Sequence, residues 1–182
     1  MEQALVLASI VLGVAVAAEL TNLHHLLRST KVKWHWAQPV FAVFVLMILM
    51  FFWWTLAKNP EGELSFGEFL PVMWSLVTLV LLSAVALPDD LEGGVDLAEY
   101  YQKNRRYMWG LLLLTALPLE GQWFYKVAMT TSSFGEFFSR ASADLLAWSM
   151  IIAMMFIRRW WMVAVGFAVL SLGPLAWLSR TI

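Results

Sequence analysis

Fifteen consecutive residues, Val40 to Trp54, carry no charged, hydroxyl or amide side chain. A helix built from them has no polar face to turn toward water, so protein or lipid must surround it on all sides. Apolar runs of about 17–25 residues are long enough to cross a bilayer. Six occur, at roughly 3–27, 36–57, 66–87, 106–128, 137–157 and 160–178. The chain is 61% hydrophobic and 14% charged; soluble domains are about 45–50% apolar and about 25% charged, so both departures point to lipid. Most of the Trp residues sit near the ends of the runs, where amphipathic rings favour the headgroup layer. The expected fold is all-α: one polytopic membrane helix bundle over residues 1–182, with six transmembrane helices and the lipid bilayer as its surroundings.

Lysine and arginine order the ends. Arg28, Lys31, Lys33, Lys103, Arg105, Arg106, Arg158 and Arg159 fall at one set of helix ends. Lys58, Lys126, Arg140 and Arg180 fall at the other, so the first set should face the cytoplasm and both termini the outside. Residues 4–18 resemble a signal-peptide core, but the only charge ahead of them is Glu2. The positive leader segment is missing, so they read as a retained first helix. After Pro88-Asp89-Asp90 and Gly93-Gly94, Asp96 suits a helix N-cap, with Glu99 three residues on. That predicts a short interfacial helix over 97–105 running straight into the fourth transmembrane helix.

Ser65-Phe66-Gly67-Glu68-Phe69 recurs unchanged as Ser133-Phe134-Gly135-Glu136-Phe137. Each copy opens an odd-numbered helix, which suggests an internal repeat of one helical hairpin. A shared capping solution would produce the same pentapeptide, because Ser with Glu three residues later is a capping box. When the two copies are laid over each other, Val72 becomes Arg140, Leu76 becomes Asp144 and Phe52 becomes Glu120. The second hairpin therefore carries charge where the first is apolar.

Charge within a bilayer costs about 2.5–3.5 kcal/mol per residue on insertion scales, so each such residue marks a candidate site. Glu136, Arg140 and Asp144 stand at i, i+4 and i+8 on the fifth helix. Glu120 reaches a similar depth on the fourth, beside Pro118 and Gly121. Arg140 is expected to be bracketed by Glu120 and Asp144. Two carboxylates around one guanidinium leave one free to hold a proton or attract a cation. A second stripe, Glu19, Asn22, His25 and Ser29, runs along the inner part of the first helix. Taken from outside to inside, Glu136, Glu120, Asp144, Glu19 and His25 could form a proton relay. The alternative is structural: Arg140 ties two helices together, and Glu19 and the histidines reach to the inner interface.

Several chemistries are disfavoured. With no Cys, thiol nucleophiles, disulfides and iron–sulfur clusters are excluded. All three His lie between positions 24 and 35, which does not suit haem ligation. Neither Gly-x-Ser-x-Gly nor His-Glu-x-x-His occurs, and no nucleophile–base pair is visible. A net charge of −1 gives no reason to expect a nucleic-acid partner. The expectation is a protein with no enzymatic activity, no metal and no cofactor.

Leu87-Pro88-Asp89-Asp90, Val95-Asp96-Leu97, Tyr100-Tyr101 and Asn104-Arg105-Arg106-Tyr107 resemble a group of small, biochemically unassigned bacterial multi-pass membrane proteins. His25-Leu26-Leu27-Arg28, Trp34-His35-Trp36 and Phe52-Trp53-Trp54 are similar to the same group. The resemblance covers about residues 20–110. It implies a bacterial cytoplasmic membrane and carries over no catalytic residue. Two functions follow as expectations. One is ion- or proton-linked transport through the polar cluster. The other is a non-transporting membrane subunit or scaffold, with a second copy or another membrane protein as partner.

Overall fold

A computed structural model describes residues 2–58, 66–91 and 93–178, the side chains of residues 2–4, 66, 68 and 174–178 excepted. Among these residues the chain forms six helices and one two-stranded pairing. In order they are α1 (Glu2–Arg28), β1 (Val32–Lys33), α2 (Ala37–Ala57), α3 (Phe66–Ala86), β2 (Val95–Asp96), α4 (Leu97–Thr130), α5 (Phe134–Met154) and α6 (Trp160–Leu178). Four stretches of the described residues are long and apolar enough to cross a membrane: Leu5–Arg28, Ala37–Ala57, Phe69–Ala86 and Phe134–Met154. Their outward faces carry large apolar side chains such as Val14, Met50 and Leu146, each more than half exposed. Hydrocarbon accommodates such a surface and water does not.

Local chemistry sets the helix ends. Asp96 takes the N-cap of α4 in extended backbone, and its carboxylate accepts from the Ala98 and Glu99 N–H groups. The expected interfacial helix is the first part of α4, which continues without a break for 34 residues. At 1.5 Å per residue that is about 50 Å, longer than the roughly 30 Å of a hydrocarbon core. Ser133 caps α5 through the Glu136 N–H at 3.3 Å, so this helix starts and stops three residues earlier than the apolar run suggests. The matching cap of α3 would fall on Ser65 and the Glu68 side chain, which lie outside the described residues.

The pairing of β1 with β2 was not anticipated. It is parallel, with Val32 opposite Val95 and Lys33 opposite Asp96. Gly94 precedes it with a positive φ of 82 degrees, a backbone conformation open to glycine and strained for most other residues. The strands join the α1–α2 and α3–α4 connections. Gln102 Nε2 donates to the Arg158 carbonyl at 3.1 Å and ties in the α5–α6 turn. The three basic connections therefore meet at one end of the bundle, here termed the basic end.

In the bundle α3 packs on α1, α2 and α4, while α5 packs on α4 and α6. The pair α3–α4 thus forms the middle, flanked by α1 on one side and α5 on the other. Small residues of α1, Ala8 and Ala15, are buried together with Leu76, Leu79 and Leu82 of α3. Toward the basic end the core is aromatic. Phe167 of α6 lies 5.5–6.4 Å, ring to ring, from Trp36, Phe41, Phe44 and Trp109. Trp109 Nε1 donates to the Tyr101 hydroxyl at 3.0 Å, so both buried polar atoms are satisfied.

Candidate functional site

The two sequence-predicted groups of polar residues occupy opposite flanks of the α3–α4 pair. On the α1 flank, Glu19 is 1% exposed. It stands nine residues before the end of α1 at Arg28. At the helical rise per residue, that sets it about 13 Å from that end. Ser83 of α3 faces it. The Ser83 hydroxyl donates to the Ala15 carbonyl at 2.7 Å and to Glu19 Oε2 at 3.3 Å. Among the described residues Glu19 Oε1 has no hydrogen-bond partner, and neither of the salt bridges involves Glu19. One hydroxyl proton thus serves two acceptors, and a proton on the Glu19 carboxyl would supply the second bond outright. Asn22 is half-buried, whereas His25 is exposed and edge-on to His24 at 5.9 Å. The inner stripe therefore divides, with Glu19 turned into the bundle and His25 turned outward.

On the other flank the expected bracketing of Arg140 is not what forms. Arg140 pairs with Glu136 at 2.7 Å, and the side chains of the pair are 52% and 35% exposed. Helical geometry explains the choice. Cα–Cβ bonds tilt toward the helix N-terminus, so a long side chain lies back over the preceding turn, toward position i−4. Glu136 also accepts from the backbone N–H and the hydroxyl of Ser132, both at 3.1 Å. Glu120 and Asp144 are left half-buried on facing helices, within electrostatic reach of each other and without a guanidinium between them.

Between the flanks runs a set of hydroxyls that sequence reasoning missed. Ser75 donates to the Thr115 carbonyl at 2.9 Å, and Thr115 donates to the Thr78 hydroxyl at 3.0 Å. These bonds join α3 to α4 in the middle of the bundle and are buried. The available signal was Ser75, Thr78 and Ser83 standing in an otherwise apolar run. Gln38 was missed as well. It is fully buried, its amide donates to the Ala86 carbonyl and to Met108 Sδ, and its Oε1 has no partner among the described residues.

Two further features lie outside these groups. His35 sits at the basic end with its ring 4.0 Å from that of Trp160. Burial holds its pKa below the usual histidine value, against the opposing pull of Asp96. A groove of about 630 Å³ opens between α1 and α2, walled by Leu12, Gly13, Val16, Met47 and Met50. Its walls are apolar, and the Trp53 indole donates across it to Ser9 at 3.0 Å. Among the described residues no three His, Asp or Glu side chains come together. Neither a family model, nor a curated protein, nor a solved structure matches this chain.

Proposed function

We propose that this protein is a six-crossing bacterial inner-membrane protein that exchanges protons, with Glu19 as the group that holds one. A single observation carries the reading. Glu19 is enclosed between α1 and α3 with one oxygen on a shared hydroxyl, the other unpartnered, and no ion pair to a cation among the described residues. A bare carboxylate is too costly there, so the group is neutral or has captured a cation. The outer carboxylates Glu120 and Asp144 are the natural second station. Because α3 and α4 stand between the stations, transfer uses water or a small helix movement rather than direct contact. The apolar runs of α4 and α6 add two crossings to the four long spans, which sets both termini outside when the basic end faces the cytoplasm.

The test is proton flux into liposomes containing a trapped pH-sensitive dye, driven by an imposed pH difference. Wild type should acidify the lumen faster than empty liposomes. Glu19→Gln should abolish the excess, and Asp144→Asn with Glu120→Gln should reduce it. Equal flux for wild type and Glu19→Gln would end the proposal.

A second reading is favoured by α5. Ser139, Arg140, Ser142 and Ser149 are all exposed on a helix long and apolar enough to lie in lipid. Small and polar residues of this kind serve helix–helix contacts inside membranes. The chain would then be a non-transporting subunit whose fifth helix meets a second copy or another membrane protein. Gentle purification from native membranes that yields only the free monomer counts against it.

A further inference from the structure

Four arginines gather at the basic end, and among the described residues no acid is paired to them. Arg105 and Arg106 belong to the first part of α4, and Arg158 and Arg159 form the connection from α5 to α6. Among the described residues the salt bridges are Lys33–Asp96 and Arg140–Glu136, so none of the four has a carboxylate within ion-pair distance. Arg105 is the anomaly. It is 7% exposed, its guanidinium donates to the carbonyl and side-chain oxygen of Gln102, and its Nε is buried with no partner. Burial, followed by the charges of Arg158 and Arg106, holds its pKa below the ordinary arginine value.

The arrangement is built rather than accidental. Gln102 accepts from Arg105 and, through its amide, holds the Arg158 carbonyl at 3.1 Å, so one side chain positions both halves of the cluster. The Arg106 guanidinium lies over the Phe156 ring at 5.4 Å, and this cation–π contact fixes a third member. The first turn of α6 starts here too, with the Met162 and Val163 N–H groups bonded back to the Arg159 carbonyl. Its helix dipole adds positive potential at the same place. A buried cation among like charges is destabilising until an opposite charge joins it.

We propose that this cluster binds a phosphate group, and that the phosphate belongs to an anionic phospholipid. Guanidinium groups match phosphate oxygens in geometry as well as charge. The rim decides the source. Phe156, Tyr107 and Trp161 are each more than half exposed beside the arginines, an apolar fringe that acyl chains and glycerol cover and a free phosphate does not. The site lies where such headgroups are found, at the end of the membrane-crossing segments.

The test is native mass spectrometry of the intact protein in detergent, titrated with phosphatidylglycerol or with phosphatidylcholine bearing the same chains. Wild type should take one phosphatidylglycerol in preference to phosphatidylcholine. Arg158→Gln and Arg159→Gln change exposed side chains and should leave the unfolding midpoint unmoved. Each should weaken phosphatidylglycerol binding by about five-fold and leave phosphatidylcholine binding unchanged. A wild type that binds both lipids equally, or variants that keep the full preference, overturns the proposal. If inorganic phosphate at millimolar concentration binds alone and displaces the lipid, the lipid assignment is overturned in favour of a soluble phosphate.

Discussion

Replacing Ser83 by Ala removes one hydroxyl and leaves Glu19 with neither oxygen hydrogen-bonded inside the α1–α3 seam. An orphaned buried acceptor costs about 1–3 kcal/mol. The contact being lost is long, 3.3 Å, and hydrogen bonds in membrane bundles average about 0.6 kcal/mol. The expected loss for Ser83→Ala is therefore near the lower end, about 1 kcal/mol. The Ala15 carbonyl also loses the Ser83 hydroxyl, but it is a backbone group within α1 and keeps its helical bond. Glu19→Met has nearly the same volume and no polar atom to satisfy, so alone it should be neutral or stabilising. In the double variant both polar partners are gone, and replacing both by apolar groups of similar shape is close to neutral. Ser83→Ala should therefore cost about 1 kcal/mol in the wild-type protein and almost nothing in the Glu19→Met background, a coupling of about 1 kcal/mol. The assay is reversible unfolding in mixed micelles with rising dodecyl sulfate, followed by tryptophan emission. A double variant at least as unstable as Ser83→Ala alone refutes the reasoning, because it means Ser83 stabilises the seam without reference to Glu19.

Other expectations concern the ends of the bundle and the outer face. Gly94→Ala forces a side chain into left-handed backbone with its Cβ 3.1 Å from the Lys31 carbonyl. The left-handed conformation alone should cost about 1–2 kcal/mol in unfolding free energy. Gly166→Ala drives a Cβ into the buried Met154 side chain. Overpacking of this kind should cost about 1–3 kcal/mol in the same assay, with Met154→Ala in the same chain recovering part of it. The Lys33–Asp96 pair should give the strand pairing a pH window. The Lys33 hydrogen bond, followed by the Glu99 N–H, holds Asp96 below its usual 3.8. Its contribution is therefore complete above that value and lost as pH falls through the lower folded one. The Asp96 hydrogen bond raises Lys33 above 10.5, so its contribution is complete below that value and lost as pH rises through the higher one. Protection of the Val95 N–H, which is bonded to the Lys31 carbonyl at 3.2 Å, should be greatest between the two limits when exchange is measured against the intrinsic rate at each pH. Arg140→Gln breaks an exposed i,i+4 pair; the unfolding free energy should change by less than about 1 kcal/mol.

The sequence determined the helical class, the approximate positions of all six helices, the Asp96 cap and the sorting of basic residues to one end. These are properties of a single segment: run length, the spacing of apolar residues, or one side chain next to its own backbone. The partners were a different matter. Glu19 could be placed on α1 from its spacing, but its burial against Ser83 depends on which helix lies beside α1, and no local pattern states that. Charge alone leaves Arg140 a choice of carboxylates, and the backward tilt of Cβ decides for Glu136 over Glu120 and Asp144. The parallel pairing of Val32 with Val95 and the gathering of Arg105 with Arg158 join residues far apart in the chain. Only the packing of α3 and α4 between α1 and α5 fixes such long-range neighbours, because a helix satisfies its backbone by itself and leaves the choice of companions to the shapes and few polar atoms of its sides.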